Sequence, residues 1–278
     1  MKSLIQHITE KLVLNSNSKI RKKEYNYQPK TKEELIELVG KLIKERGNNA
    51  DLNDIDVSEI KDMSELFMAH KNFNGDISEW DVSNVTNMQA MFSHSKFNGD
   101  ISKWDVSNVK ITEEMFNMSK FTGDISKWDV SNVINVAWMF QYSEFNGDIS
   151  EWNVGKVKDI HGMFYEAKFN GDLSKWNVGN VKDMRWMFYE SKFTGENGDI
   201  SKWNVGKVEN MKGMFSVSNF NGDLSEWDVS KVEDMEGMFF KSSFNKDISN
   251  WDVSSVINME MMFDGCPIKE EYKPKFNK

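Results

Sequence analysis

The sequence is poor in the residues on which many enzymes and secreted domains depend. It has a single cysteine, three prolines and four histidines in 278 residues. One cysteine excludes an intrachain disulfide framework and gives no indication of secretion. The histidines lack metal-ligand spacing, and the chain has no nucleophile elbow, phosphate loop or dinucleotide fingerprint. We therefore predict a non-enzymatic protein with no catalytic residues, no metal site and no cofactor.

Long hydrophobic runs are also missing. No segment reaches the roughly 18 apolar residues that a membrane-spanning helix needs. The first 15 residues, MKSLIQHITEKLVLN, contain His7, Glu10 and Lys11 and lack the continuous apolar stretch and cleavage site of a signal peptide. We expect no membrane insertion, no secretion by a recognisable signal peptide, and a location in the cytoplasm or within an assembly.

Positive charge is scarce outside the first 50 residues. Residues 1–50 carry 11 Lys and Arg against 6 Asp and Glu, whereas residues 51–278 carry 24 against 38. So acidic a body repels phosphate backbones and anionic lipid surfaces. We predict no nucleic-acid partner.

The abundant residues are 10 Trp, 19 Phe and 18 Met, and they recur with a fixed period. Tryptophans are spaced by 24 residues, apart from one interval of 27 caused by three extra residues around Glu196, at Trp80, Trp104, Trp128, Trp152, Trp176, Trp203, Trp227 and Trp251. A degenerate earlier copy begins at Ile55. A period of this length is the signature of a solenoid, here of nine coils.

The apolar positions of one unit mix two spacings. Ile101, Trp104 and Val106 suggest a short extended or bent segment. The later Val-x-x-Met-x-x-Met-Phe run, as at Val181 to Phe188, fits helical spacing. We predict that each coil is a short strand, a turn and one or two helical turns. Because one unit cannot bury a Trp, two Phe and two Met alone, the aromatic columns should form a continuous core.

Most units also carry an Asn-Gly-Asp corner, as at Asn98–Gly99–Asp100, although Lys246 replaces the glycine in the last one. Asn and Gly tolerate positive φ, and Asp accepts backbone N–H bonds, so we expect a left-handed turn. The alternative for the aspartates is a ladder of calcium ligands. A second acidic column changes to asparagine at Asn153, Asn177 and Asn204, which favours turn capping over a ligand role.

The ends differ from the repeats, so we divide the chain into a helical N-terminal segment and cap (1–50), the nine-coil solenoid (51–266) and a C-terminal cap and tail (267–278). Thr31 and Glu34 form a capping box for a helix that ends at Gly47. Residues 2–14 also have one apolar face. This first helix either belongs to the cap or is a docking segment.

The units FNGDISKWDVSNV and VTNMQAMF resemble the roughly 25-residue repeat of the BspA-like leucine-rich repeat surface proteins, over about residues 55–265. The resemblance implies a leucine-rich-repeat-like solenoid used for adhesion or other protein binding, with no catalytic residues to carry over. We recognise no signal peptide, lipobox or wall anchor of the surface members in this sequence, so the resemblance predicts the fold better than surface display.

The columns that vary between units lie beside Met-Phe. On three adjacent coils these columns carry aromatic or charged side chains, and we predict that these side chains form one binding patch. Its members are Trp138, Tyr142, His161, Tyr165, Arg185, Trp186 and Tyr189. Trp, Tyr and Arg dominate binding hot spots; alternatively, these rings only cover the side of the solenoid. We expect an interaction scaffold for another protein. The alternatives are a structural component of a virion or envelope docked by its N-terminal helix, and carbohydrate binding through the aromatic patch.

Overall fold

The structure, a computed structural model, describes residues 24–276. These form a stack of nine coils in which one residue of each coil makes a parallel backbone bridge with the same position of the next. The bridging positions are Asp62, Asn87, Ile111, Asn135, Asp159, Asp183, Asn210, Asp234 and Asn258. The predicted repeat solenoid is therefore confirmed at the level of the repeat and the stack.

The backbone of each coil is a succession of β-turns. In one coil, Trp104 N–H donates to the carbonyl of Ile101 at 3.2 Å, and Val109 N–H donates to Val106 at 2.9 Å. Between residues 24 and 276 the repeats contain neither a strand nor a helix. The prediction of a short strand and helical turns is thus wrong. The spacing of the apolar residues gave this prediction because successive β-turns bring every third residue toward the core, as a helical turn does.

Pairing between coils is concentrated where helical turns were expected. In the segment 88–95, N–H groups alternate between two kinds of acceptor. Ala90 donates to Glu113 of the next coil at 2.8 Å, and Met91 donates back to Met88 in its own coil at 3.2 Å. This alternation satisfies the buried backbone without a continuous strand.

The tryptophans join each coil to the one before it. Ile125 carbonyl accepts the backbone N–H of Trp128 at 3.2 Å and the indole N–H of Trp152, one coil later, at 3.0 Å. The same indole bond, 2.9–3.2 Å long, is made by all eight repeat tryptophans, each at most 5% exposed. Trp203 still reaches Leu173, so the three-residue insertion leaves the register intact.

Two phenylalanine columns fill the rest of the core, as predicted. Phe116 stacks on Phe92 and Phe140 of the neighbouring coils, both with centroids 5.7 Å away, and on Phe121 of its own coil at 4.4 Å. The phenylalanines of these columns are fully buried up to Phe244, and Phe263 of the last coil is partly buried. Every coil therefore depends on its neighbours for its hydrophobic contacts.

The acidic columns serve as turn caps. Asp100 accepts the backbone N–H and the hydroxyl of Ser102 at 2.9 and 2.7 Å. Every aspartate of this column accepts the N–H two residues later in the same way: Asp76, Asp100, Asp124, Asp148, Asp172, Asp199, Asp223 and Asp247. These Asx turns give the carboxylates a structural role of the kind that the alternation with Asn indicated.

The Asn-Gly-Asp corner differs from the prediction. Gly99 does not have a positive φ. A Cβ at this position would lie 2.8 Å from the ring of Phe97 and 3.1 Å from the carbonyl of Gly75. Glycine is favoured here by the close approach of an aromatic ring and not by a left-handed backbone.

The two ends are covered differently. Helix α1, Lys32–Arg46, buries Leu35, Val39, Leu42 and Ile43 against the first coil. Thr31 caps it by accepting Glu34 N–H at 3.2 Å, while the Glu34 carboxylate accepts Lys30 N–H, so the predicted helix is confirmed.

At the other end, a 3-10 helix, Glu270–Tyr272, places Tyr272 where its carbonyl accepts Ile248 N–H.

Residues 2–14, the other predicted helix, lie outside the described residues. Along residues 24–276, no helix has the length and apolarity needed to cross a membrane.

Replacing Trp152 by Phe should destabilise the fold by about 1–3 kcal/mol, because the variant loses a buried hydrogen bond to the Ile125 carbonyl and part of a core ring. Trp186→Phe is the matched control, since Trp186 is only half-buried and its indole N–H has no hydrogen-bond acceptor in the described part of the chain. We expect this change to cost less than about 1 kcal/mol. Urea unfolding followed by circular dichroism measures both, and equal losses would contradict the role given to the indole bond.

Acid should weaken the fold through the turn-capping aspartates. The pKa values of Asp100, Asp105 and Asp228 are lowered, chiefly because the hydroxyl and backbone N–H of the serine two residues later donate to each carboxylate. A carboxyl with a lowered folded-state pKa stabilises the fold above its ordinary pKa, near 4, and this stability is lost as pH falls through the folded-state value. The urea midpoint should therefore fall as pH drops below about 4.

The triple variant D100N/D105N/D228N should flatten this acid dependence, because Asn keeps the acceptor oxygen and does not titrate. Glu37, Glu45 and Glu196 are exposed, and no group within residues 24–276 donates a hydrogen bond to their carboxylates. Changing these three to Gln removes the same charge and should leave the slope unchanged. An identical slope in both triple variants would assign the acid sensitivity to net charge alone.

Candidate binding surface on the central coils

The residue before Met-Phe has a left-handed backbone in every repeat coil. Its φ lies between 51° and 61° at Ala90, Glu114, Trp138, Gly162, Trp186, Gly213, Gly237 and Met261. A second such column follows four residues later and includes His94, Met118, Tyr142, Glu166 and Glu190. Side chains in these columns leave the core, and they are the ones that vary between coils.

Tryptophan and glycine alternate along the first column in the middle of the stack. The ring of Trp138 lies over Gly162 of the next coil, where a Cβ would collide with it. Likewise, a Cβ on Gly213 would lie 2.5 Å from Cδ1 of Trp186. The two indoles are 5.9 Å apart and tilted by 34°. Each indole therefore lies along the stack, partly buried, over the glycine of the following coil.

Three tyrosines continue the aromatic surface. Tyr165 stacks on Tyr189 at 4.5 Å and meets the edge of Tyr142 at 5.5 Å. It also contacts Trp138 at 5.7 Å. Burial raises the pKa of Tyr165, and the neighbouring tyrosines and Glu166 add to the shift. Tyr142 is the most exposed of the three, at 42%.

A charged network lies beside the rings. His161 Nδ1 is 2.5 Å from Oδ1 of Asp159, and Arg185 Nε is 3.2 Å from Oδ2 of Asp183. Burial acts to raise the pKa of Asp159, but hydrogen bonds from His161 outweigh it and the net shift is downward. Burial raises the pKa of Asp183 despite its hydrogen bond from Arg185 N–H. On each of these two neighbouring coils, a basic side chain thus contacts the aspartate two residues before it.

The network also orients the rings. Trp138 meets His161 edge-on at 5.0 Å, and the Arg185 guanidinium lies 5.7 Å from the Trp186 ring. Lys212, held by Glu236 at 2.7 Å, lies 5.9 Å from the same Trp186 ring. Cations near an indole face stabilise its position.

Asp159, His161 and Asp183 have ligand-type atoms within 4.8 Å of one another and are the residues that most resemble a metal site in the described part of the chain. Two contacts oppose this use. The His161 ring nitrogen is engaged by Asp159, and Asp183 already forms an ion pair with the Arg185 guanidinium. The arrangement is better suited to fixing the neighbouring rings than to holding a cation.

The seven residues predicted from the sequence lie together, and we call them the central cluster: Trp138, Tyr142, His161, Tyr165, Arg185, Trp186 and Tyr189. Each contacts at least one other member directly or through the Asp159–Asp183 pair. Sequence reasoning missed Asp159, Asp183 and Lys212, and the function of Gly162. The sequence signal for the role of Gly162 was the alternation of Trp and Gly in the column before Met-Phe.

Gly162→Ala should displace Trp138. The new methyl group would overlap the indole, and Ala at φ 61° also costs about 1 kcal/mol of backbone strain. Gly237→Ala is the matched control, because Gly237 has φ 58° in the same column but its Cβ would meet only Phe240 at 3.6 Å. We expect Gly162→Ala to lose about 1–3 kcal/mol more than Gly237→Ala in urea unfolding.

The double variant G162A/W138A tests the cause of that difference. Removing the indole should relieve the overlap, so most of the excess loss should disappear when the variant is compared with W138A alone. If the excess loss remains, the close packing of Trp138 on Gly162 is not its origin.

Comparison with known proteins places the repeat in one family. No curated protein and no solved structure matches the chain. A single family model matches three overlapping segments, residues 39–143, 117–215 and 191–273, which together span the whole solenoid. The chain therefore belongs to the family described as Mycoplasma protein of unknown function, DUF285.

Proposed function

We propose that the protein is a non-enzymatic recognition solenoid that binds another protein through the central cluster. The observation that carries this proposal is the gathering of two Trp, three Tyr, one His and one Arg on three adjacent coils of an otherwise regular stack. In this proposal the solenoid is leucine-rich-repeat-like and is used for adhesion or scaffolding, as in the BspA-like proteins that its repeat resembles.

The columns of equivalent residues have different structural roles, and this difference supports the proposal. Core Trp, Phe and Met side chains are committed to packing, and the Asp and Asn columns cap turns. The columns beside Met-Phe, which include the left-handed ones, vary between coils. Buried or half-buried Trp, Tyr and Arg in a pre-formed patch are the residues that contribute most to protein binding, because their positions are fixed before the partner arrives.

Contacts around His161 support a non-enzymatic role. The side-chain partner of His161 is Asp159, and within residues 24–276 no hydroxyl or thiol forms a hydrogen bond with this imidazole. A nucleophile activated by a histidine needs such a contact. The Asp–His pair instead lies against the edge of Trp138.

Ring orientation favours a protein over a sugar as the ligand. A carbohydrate platform needs open ring faces, yet Tyr165 and Tyr189 cover one another and Trp138 lies over Gly162. Tyr142 offers the largest exposed ring. The other alternative, docking of a virion or envelope component by the N-terminal helix, depends on residues 2–14 and is independent of this surface.

Site-specific photocrosslinking tests the proposal. A benzophenone amino acid replaces Tyr142 or, as the matched control, Met118. The control lies one coil earlier in the same left-handed column, with the same φ of 52° and 46% exposure. In lysate of the source cells, we expect a discrete crosslinked protein from position 142 and not from position 118.

The crosslinked protein is then purified and its affinity for the whole chain measured. W138A/W186A, checked for folding by circular dichroism, should bind it at least about tenfold more weakly. Crosslinks shared by both positions, or affinity unchanged in the double variant, would contradict binding through the central cluster.

A further inference from the structure

Three consecutive coils depart together from the pattern of the other repeats. The Asp-Val-Ser that follows Trp in five coils becomes Asn-Val-Gly in the coils of Trp152, Trp176 and Trp203. The changed positions are Asn153, Gly155, Asn177, Gly179, Asn204 and Gly206. A change repeated in register on adjacent coils alters one continuous strip of the surface.

The fold does not require this change. Asn153 accepts Gly155 N–H at 3.2 Å, just as Asp105 accepts Ser107 N–H at 3.0 Å, so the Asx turn is present in either form. What differs is the surface: three carboxylates and three hydroxymethyl groups are removed. A Cβ on Gly155 would lie 3.5 Å from the amide of Asn177 on the next coil. Because glycine has no side chain, the surface protrudes less at this position.

Lysines occupy the space beside these positions. Lys156 and Lys207 stand in a column that holds Asn in four other coils and Lys231 in the coil after Lys207. The amide of each of these Asn donates to a carbonyl of the preceding coil, as Asn108 does to Ser83 at 2.8 Å. The lysines give up that structural bond. With Lys158 and Lys182 they line an open groove of about 480 Å³, which Ile134 and Asn180 complete. We call these four residues the lysine strip.

The positive charge of the lysine strip is largely uncompensated. Lys156 donates to the neutral side chain of Asn132 at 2.6 Å, and Lys207 to that of Asn180 at 2.7 Å. Lys182 alone of the four is paired with a carboxylate, Glu209, at 2.8 Å. The amides hold the ammonium groups in place without neutralising them, so an anion entering the groove gains favourable interactions.

The lysine strip is short, which limits the ligand. It covers three coils, about 10 Å along the stack at the usual spacing of paired backbones. Asp129 lies on the coil before it and Asp228 on the coil after it, in the column that is Asn within the strip. Glu209 and Glu233 continue the column of Lys158 and Lys182. A long polyanion would be repelled at both ends, whereas two or three carboxylates fit.

The lysine strip adjoins the central cluster. Lys158 is three residues from His161, and Lys182 is three residues from Arg185, so the chain separates each pair by at most about 10 Å. We propose that the lysine strip receives a short acidic segment, with two or three Asp or Glu side chains, of the same protein that contacts the central cluster. This inference rests on the proposed function and adds the chemistry of the partner.

The test uses the whole chain and a short fluorescein-labelled peptide containing consecutive glutamates, with its all-glutamine analogue as the negative control. Fluorescence anisotropy should show binding of the glutamate peptide alone, weakening as salt is raised. K156N/K207N introduces the Asn that four other coils have at this position, so the fold should be kept, and it should bind at least about fivefold more weakly.

K96N/K103N is the charge-matched control. Lys96 and Lys103 are exposed lysines two coils before the lysine strip, and Asn occupies the same columns at Asn219 and Asn250. Its affinity for the peptide should equal that of the wild type. Equal losses in the two double variants, or binding of the glutamine analogue, would overturn the proposal, as would binding of a sulfated polysaccharide or an oligonucleotide in place of the peptide.

Crosslinking from position 142 separates the two proposals. If the crosslink to the partner forms unchanged in K156N/K207N and the peptide does not bind, the lysine-strip inference fails and protein binding by the central cluster stands. If the peptide binds the lysine strip while position 142 crosslinks nothing, both the proposed function and the shared partner are wrong. Weaker crosslinking in K156N/K207N, together with peptide binding, supports both.

Discussion

The carbonyl group of the Ile or Leu in each coil is the point on which the stack depends. It accepts two hydrogen bonds, one from the backbone N–H of the tryptophan in its own coil and one from the indole of the next coil. The first bond closes a turn, and the second fixes the distance and register of the neighbouring coil. Since both donors are buried, an interrupted register would leave unpaired polar groups beside aromatic rings. Local shape and stacking are therefore stabilised by the same atoms.

This constraint divides the side chains into two sets. Positions that face the shared core must repeat, because each ring packs on its equivalents above and below. Positions in the left-handed columns must only tolerate φ near 55°, and Ala, Glu, Trp, Met and Gly all occur there. The fold therefore does not restrict which side chain occupies these columns. The pairing of Trp138 with Gly162 and of Trp186 with Gly213 shows how this freedom is used, since a large ring on one coil needs a small residue on the next.

Much of this arrangement can be predicted from the sequence, because equal positions of a repeat become neighbours once the coils stack. That rule placed Trp138, Tyr165 and Tyr189 together without any knowledge of the coil's path. The path itself could not be predicted, since Val181, Met184 and Met187 have a spacing that helices and successive β-turns share. Left-handed backbone was expected at Gly99 and found instead at Trp138. Glycine at the corner is favoured by the nearby Phe97 ring, although Lys246 occupies the same position in a later coil, and the left-handed positions carry no distinctive residue type. Ion pairs such as Arg185–Asp183 depend on side-chain rotamers that a repeat pattern does not specify.

The lysine strip follows the same division. Asn153 replaces the Asp of other coils at no cost to the turn, because either side chain supplies the oxygen that the turn needs. The framework thus allows the charge of one face to change sign locally within a repeat body of strongly negative charge. At physiological salt, charges are screened beyond about 8 Å, a distance similar to the length of the lysine strip itself. The lysines therefore cannot attract a partner from afar against the surrounding carboxylates. They contribute once the aromatic rings are in contact, so that the central cluster provides the area and the lysine strip selects among partners by their acidic groups.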